Sequence, residues 1–341
     1  MKNLKISADR KYEIFVDTEF HDALGSITNK HQQVLLVVPS KLAKLIKIKK
    51  ISNLKVLTVP DGENQKNFVT LQRIWAELGK GKFSRSDAII GLGGGATTDL
   101  AGYAAASWLR GISWYAIPTS LAAMVDASIG GKTAINSAAG KNLIGAFYSP
   151  SAVYIDLNFL KTLPKRDISA GMAEVIKCGF IADKKILELA QKDVLDFKEL
   201  IYRSVKVKVK VVNKDFKESK LREVLNYGHT LGHAIEKHSK FKLRHGEAVS
   251  IGLVFAAELS NLVGTLSLKE VNDHRDILKS FNLPTTYSKS ALPSLIKLML
   301  SDKKVKNQRI RFIGLSKIGK PQWFEAVNTK QIKMAYERIS K

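Results

Sequence analysis

Four of the seven histidines, His229, His233, His238 and His245, fall within Arg222–Glu247, REVLNYGHTLGHAIEKHSKFKLRHGE. His229 and His233 are four residues apart, so on a helix they share one face. Neutral imidazole is the commonest metal ligand, and helical H-x-x-x-H spacing suits a two-point metal grip. Two polar rings on a solvated helix face would give the same spacing. A second pair, Glu174 and Lys177 in GMAEVIKCG, stands three apart among small and apolar neighbours. On a surface this is an ordinary ion pair. Within so apolar a helix, burial is expected, and a buried charge needs a partner or a metal.

Two glycine clusters suit anions. GLGGGATTDL at Gly91–Leu100 places a glycine turn between a strand and a helix, where backbone N–H groups can bind a pyrophosphate. Its spacing only approximates G-x-G-x-x-G, and a packing turn is the plainer alternative. Asp99 there could cap the helix or contact a cofactor. Gly130-Gly131-Lys132-Thr133 ends like a P-loop, but Asp126 stands where the upstream glycine is required and no strand directly precedes it. A P-loop ATPase is therefore excluded, although a lysine raised on glycines still suits an anionic oxygen.

The elements that must carry these residues follow from periodicity. Tyr12–Asp17, Val34–Val38, Leu54–Val59, Asp87–Leu92, Ser113–Ile117 and Ala152–Leu157 read as strands, with helices at Asn67–Leu78 and Thr97–Leu109. Strands alternating with helices imply a parallel α/β sheet of Rossmann type. Ser120–Pro150 is rich in Gly, Ala and Ser, which lets backbone approach a ligand closely. After Leu163-Pro164 the pattern is mostly helical: Ile168–Phe180, Lys184–Ala190, Glu199–Lys214, Ser219–Lys237, Glu247–Leu262 and Lys269–Ser280. Arg309–Leu315 and Gln322–Glu325 suggest a last pair of strands before a closing helix. The expected organisation is an α/β nucleotide-binding domain over 1–162 and an α-helical metal- and substrate-binding domain over 163–341, with the active site in a cleft between them.

Composition bounds the class. With 341 residues, 45% hydrophobic and 25% charged, the chain fits a soluble globular protein. One cysteine, Cys178, excludes an internal disulfide framework and cysteine-rich zinc modules. No apolar run reaches membrane-spanning length and no signal peptide is visible, so a cytoplasmic location is expected. The net charge of +24 (55 Lys and Arg against 31 Asp and Glu) favours anionic partners. The lysines are scattered, as in Lys47–Lys50 and Val205–Lys210, and no nucleic-acid-binding motif accompanies them. A small anionic substrate is the preferred partner, with no nucleic acid and no membrane.

Taken in order, GLGGGATTDL, IPTSLAAMVDASIGGKTAIN, GKNLIGAF, GMAEVIK, LNYGHTLGHAIE and HGEAVSIGL resemble the 3-dehydroquinate synthase family of the sugar-phosphate cyclases. The resemblance runs from about Asp61 to Ile310. It implies an NAD- and divalent-metal-dependent shikimate-pathway enzyme, a carbon–oxygen lyase. Such an enzyme converts 3-deoxy-D-arabino-heptulosonate 7-phosphate to 3-dehydroquinate and phosphate through oxidation, elimination, re-reduction, ring opening and aldol closure. It implies zinc, or cobalt in its place, on Glu174, His229 and His245. By the same match Asp126, Lys132 and Lys177 face the reacting carbons and hydroxyls. Lys208 and Arg222 hold the carboxylate. Asn142, Asn226, His233 and a lysine of Asp302–Lys304 serve the phosphate. Arg110 reaches the neighbouring subunit's site, which implies a homodimer. For NAD+ the match implies Glu63, Lys66, Gly94, Gly95, Asp99, Thr119, Ser120, Asp126, Lys132, Lys141, Phe159 and Thr162.

The chain departs from the family in two places. Pro39-Ser40-Lys41 stands where an Asp or Asn often contacts the adenosine, and Ser120 replaces a common threonine while keeping the hydroxyl. His238 lies outside the pattern and reads as a surface residue. A sister cyclase such as 2-deoxy-scyllo-inosose synthase is the nearest alternative. Lys208 and Arg222 discriminate, because its substrate has no carboxylate. A related dehydrogenase would instead accumulate NADH without releasing phosphate, and a nucleic-acid-binding module would bind DNA or RNA in a salt-sensitive way.

Overall fold

The computed structural model describes residues 3–300, 310–325 and 327–341. It divides into two compact units, Met1–Leu163 with Lys208–Lys217, and Pro164–Val207 with Glu218–Lys341.

The first unit carries β1 (Leu4–Ser7), β2 (Lys11–Val16), α1 (Phe20–Thr28), β3 (Val34–Pro39), α2 (Ser40–Leu45), β4 (Leu54–Val59), α3 (Phe68–Lys80), β5 (Ala88–Gly93), α4 (Gly95–Ser107), β6 (Ser113–Pro118), β7 (Lys132–Ser137), β8 (Gly140–Phe147) and β9 (Ala152–Ile155). Seven strands form one sheet in the order β1-β2-β9-β6-β5-β3-β4. All neighbours are parallel except β1 and β2. Strands β3 and β5 are buried at every residue, as expected of parallel strands covered on both faces. The Gly/Ala/Ser-rich stretch, read from sequence only as a close-approach segment, forms the antiparallel hairpin β7–β8. Its register pairs Lys132 with Phe147 and Ile135 with Ile144.

The second unit carries α5 (Lys165–Ile181), α6 (Lys184–Ala190), α7 (Phe197–Val212, whose end from Lys208 counts with the first unit), α8 (His229–His238), α9 (His245–Leu262), α10 (Leu268–Ser280), α11 (Leu292–Leu300), the antiparallel pair β10 (Phe312–Lys317) and β11 (Lys320–Phe324), and α12 (Thr329–Glu337). Helix α9 is its axis: every residue from Gly246 to Ser260 is buried. A Cβ at Gly246 would lie 1.8 Å from the Ala170 carbonyl oxygen, so only glycine lets α9 approach α5 this closely.

The single helix expected over Ser219–Lys237 is two pieces, a 3-10 segment at Leu221–Asn226 and then α8. Gly228 breaks it. Its φ is +79°, and a Cβ there would meet the Leu253 backbone nitrogen at 2.7 Å. Helical spacing alone could not show this, because the break is set by contact with α9. The start of the strand expected over Arg309–Leu315 lies outside the described residues; β10 begins at Phe312. No helix among the described residues is long and apolar enough to cross a membrane.

Candidate active site

In the second unit three side chains from three helices converge. Glu174 comes from α5, His229 from the start of α8 and His245 from the start of α9. Glu174 Oε1 lies 3.3 Å from His229 Nε2 and 3.2 Å from His245 Nε2. Ligands at ordinary zinc distances around a tetrahedral ion lie roughly 3.3–3.4 Å apart, so these separations fit one cation.

The far side of each ring is committed. His229 Nδ1 lies 3.1 Å from the Tyr227 carbonyl, which can only accept, so Nδ1 carries the proton and Nε2 presents its lone pair. His245 Nδ1 lies 3.0 Å from Glu236 Oε2. Two imidazoles and a carboxylate form a usual catalytic zinc donor set. A second trio, His233, Glu236 and His245, also falls within ligating reach and shares His245 with the first.

Electrostatics express the same arrangement. Burial would raise the Glu174 carboxyl, but the Lys177 ammonium and the two histidines hold it well below its ordinary range. Lys177, on the next turn of α5 and buried, donates to Glu174 Oε2. Burial and the Lys177 charge lower His229 despite Glu174. Burial opposes the charge on His245 too, but its hydrogen bonds to the Glu174 and Glu236 carboxylates prevail and raise it to about 10.

In the same unit Arg222 is buried at the 3-10 segment, and Asn226 donates to Glu218 at 2.7 Å. The His233 ring stands 5.3 Å from that of His229. His238 is exposed and bonds the Tyr287 hydroxyl at 2.9 Å. Asp302, Lys303 and Lys304, one of which was expected at the phosphate, lie outside the described residues.

In the first unit the glycine turn joins β5 to α4, with Gly94 preceding the helix and Gly95 opening it. Thr119 donates its backbone N–H to the Gly93 carbonyl at 2.9 Å. A Cβ on Gly94 would meet Ser120 Oγ at 3.4 Å, and one on Gly95 would meet the Ala127 Cβ at 2.8 Å. The turn is thus a cradle that side chains would fill, and the buried Thr97 hydroxyl in it has no hydrogen-bond partner. Free backbone N–H groups at a helix start suit a pyrophosphate, so these residues fit a dinucleotide.

Two ion-paired clusters accompany the turn. Lys66 is buried, donates to Asp99 Oδ2 at 2.7 Å and also bonds Asn142. Burial raises Asp99 to about 6 even against the attraction of Lys66. Asn136 links this group to Glu63 at 2.7 Å and takes the Asn142 backbone N–H at 3.0 Å. Asn142, expected at the phosphate, thus keeps company with residues expected at the dinucleotide. Lys208, also buried, bonds both the carbonyl and the carboxylate of Asp126.

Lys132 is exposed where β7 begins, and Lys141 is half-buried in β8. Leu109 and Arg110 are exposed with φ of 49° and 66°, a strained left-handed pair. Phe159 stacks edge-on against Phe20 at 6.0 Å, and Thr162 donates to the Phe159 carbonyl at 3.1 Å; these contacts are local packing.

Sequence reasoning missed Glu236, Tyr227, Asn136 and His274. Glu236 was legible as the acid one helical turn past His233. His274 carried no local signal. It is fully buried on α10, accepts from Tyr227 Oη at 3.0 Å and stacks on Phe180 of α5 at 3.5 Å.

The fold is that of NAD- and metal-binding enzymes already solved. A crystal structure of 2-deoxy-scyllo-inosose synthase complexed with carbaglucose-6-phosphate, NAD+ and Co2+ superposes with TM-score 0.86 at 25% identity, covering 98% of this chain and 99% of that one. A probable glycerol dehydrogenase from Sinorhizobium meliloti shares the fold at TM-score 0.66 and 13% identity, covering 96% of each chain. Sequence narrows the class. The 3-dehydroquinate synthase N-terminal profile matches residues 56–170 and the C-terminal profile residues 171–305. The 3-dehydroquinate synthase of Corynebacterium diphtheriae is 45% identical, covering 100% of this chain and 99% of its own. That of Paenarthrobacter aurescens is 51% identical over 83% of this chain and 80% of its own. The chain belongs to the 3-dehydroquinate synthase family.

Proposed function

We propose that this chain converts 3-deoxy-D-arabino-heptulosonate 7-phosphate to 3-dehydroquinate and phosphate in the shikimate pathway, as a carbon–oxygen lyase working as a cytoplasmic homodimer. The observation that carries the reading is the Glu174–His229–His245 cluster, with both Nδ1 atoms committed and both Nε2 atoms turned to one carboxylate oxygen. In this reading these three hold a zinc or cobalt ion, while Gly94, Gly95, Asp99, Thr119, Ser120, Glu63, Lys66 and Lys141 surround NAD+. The metal supplies Lewis acidity toward two adjacent hydroxyls, and NAD+ supplies a hydride acceptor that is restored within each turnover.

The remaining residues bind and orient. Asp126, Lys132 and Lys177 serve the reacting carbons and hydroxyls, and Asn142, Asn226 and His233 the phosphate. Lys208 and Arg222 take the carboxylate, for which a guanidinium fork is shaped. Both are buried, Lys208 against Asp126, and a site that sets an ammonium and a guanidinium for a carboxylate discriminates against analogues lacking one. That supports a carboxylate-bearing substrate over the hexose phosphates of sister cyclases. Arg110, in its strained turn, is assigned to the partner's site.

The test is an assay of metal-loaded protein with the heptulosonate phosphate and NAD+. Phosphate release without net NADH is expected. Folded, metal-loaded protein that leaves this substrate untouched would refute the reading. NADH accumulation without phosphate would instead mark a dehydrogenase.

A further inference from the structure

We infer that Glu236 is a positioning residue for the metal centre, holding His245 by Nδ1 so that Nε2 faces Glu174. The inference rests on Glu174, His229 and His245 being the ligands. An imidazole that ligates through Nε2 must keep its proton on Nδ1, and an acceptor there fixes both tautomer and ring rotation.

The two histidines receive this support differently. The His229 side chain is 8% exposed, so packing already limits its ring, and a neutral carbonyl suffices on Nδ1. The His245 side chain, at the first residue of α9, is 40% exposed. Packing holds that ring weakly, and there the acceptor is a carboxylate, Glu236 Oε2 at 3.0 Å. A charged acceptor makes a stronger hydrogen bond than a neutral one, so the firmer device sits where packing is looser. Glu236 itself is buried at 9% exposure on α8, which places it rigidly relative to His229 on the same helix.

The second trio, His233, Glu236 and His245, offers a rival role in which Glu236 ligates the ion directly. The hydrogen bond speaks against it, because a ring turned to ligate through Nδ1 would give up its acceptor and no longer point Nε2 at Glu174.

The experiment compares Glu236→Ala, Glu236→Gln and His245→Ala in the full-length protein. Zn2+ and Co2+ affinity is measured by competition with a chromophoric chelator, together with the visible spectrum of the cobalt form and the melting temperature of metal-free protein. Glu236→Ala is expected to weaken metal binding roughly 10- to 100-fold while leaving the number of protein ligands read from the cobalt spectrum unchanged. Glu236→Gln, whose amide oxygen still accepts from Nδ1–H, is expected to recover most of that loss. Affinity within twofold of the parent in Glu236→Ala would overturn the inference. A loss in both Glu236 variants equal to that of His245→Ala, with an altered cobalt spectrum, would make Glu236 a ligand and also overturn it. Unchanged affinity in His245→Ala would refute the ligand set, and this inference with it. A metal-free melting temperature that falls with no change in affinity would leave Glu236 a purely structural residue, again against the inference.

Discussion

The charge clusters of the two units are built in opposite ways. In the first, cations and carboxylates pair off: Lys66 with Asp99, and Lys208 with Asp126. In the second, one buried carboxylate, Glu174, is shared by Lys177, His229 and His245. Such pairing is close to neutral and holds its members in place, Lys66 having Glu63 at 3.9 Å as well. A carboxylate shared by an ammonium and two imidazoles has nitrogen in excess. Two of those nitrogens can lose protons and become ligands, which suits a cation. The first cluster therefore reads as a preformed binding wall and the second as a coordination centre.

The sharpest way to break that contrast is at Glu174. Glu174→Gln removes the carboxylate charge that both Nε2 atoms face, and metal affinity should fall by more than the ~100-fold typical of an outer-shell change. NAD+ affinity of the metal-free protein should be unchanged. A parallel loss of NAD+ would mean that the two clusters do not act as separate sites. Next comes Lys208. Truncating one partner of a buried, hydrogen-bonded charge pair costs about 2–5 kcal/mol, so Lys208→Ala should lower kcat/KM roughly 30- to several-thousand-fold. Lys49→Ala, at an exposed lysine, should do almost nothing. Equal effects would discredit the carboxylate pocket.

How much of this was legible depended on whether the signal was local. The glycine turn and the parallel sheet were legible because tight turns and buried strands are written in consecutive residues. The Glu174–Lys177 pair was legible because helical spacing sets which side chains share a face. Val205–Lys210 alternates like a strand, yet it is helical, and of its three lysines only Lys208 is buried. What selects Lys208 is Asp126, 82 positions earlier, and no window of sequence contains both. The break at Gly228 and the role of Tyr227 were hidden for the same reason. Spacing linked His229 to His233, whereas the partners that orient His229 and His245 are a backbone carbonyl and an acid from another helix turn. The resemblance to a family supplied ligand assignments that periodicity could not.

His274 gives a third, smaller contrast, a histidine that burial keeps neutral. It is fully buried, with Nδ1 2.7 Å from the Glu270 carbonyl and Nε2 accepting from Tyr227, and burial lowers it to about 4. A depressed folded pKa means the folded state binds the proton more weakly than the unfolded chain, whose histidine titrates near 6.5. The stability this contributes is present above pH 6.5 and is lost as pH falls toward 4, about 3 kcal/mol in all. In urea unfolding, the parent should lose more stability than His274→Gln across that interval, although the variant starts lower at pH 7.5. Parallel slopes would mean that His274 titrates normally and that the Tyr227 contact is weaker than its geometry implies.

The smallest effect is expected at Asp99, and it separates two explanations of the first cluster. If Asp99 serves only to keep Lys66 buried, Asp99→Asn should lower stability and leave NAD+ affinity alone. If the pair forms part of the dinucleotide wall, the same change should weaken NAD+ binding by about 1.5–3 kcal/mol, roughly 10- to 150-fold, as expected for loss of a hydrogen bond to a charged group. Burial raises Asp99 to about 6, so the group ionises just below neutral pH. The folded pKa lies above the unfolded one, so its contribution to stability is full below pH 4 and declines as pH rises through 6. In the parent, NAD+ affinity should then change between pH 5 and 7, and in Asp99→Asn that step should disappear. A step that survives the substitution would assign the titration to another group and reduce the Lys66–Asp99 pair to structural support.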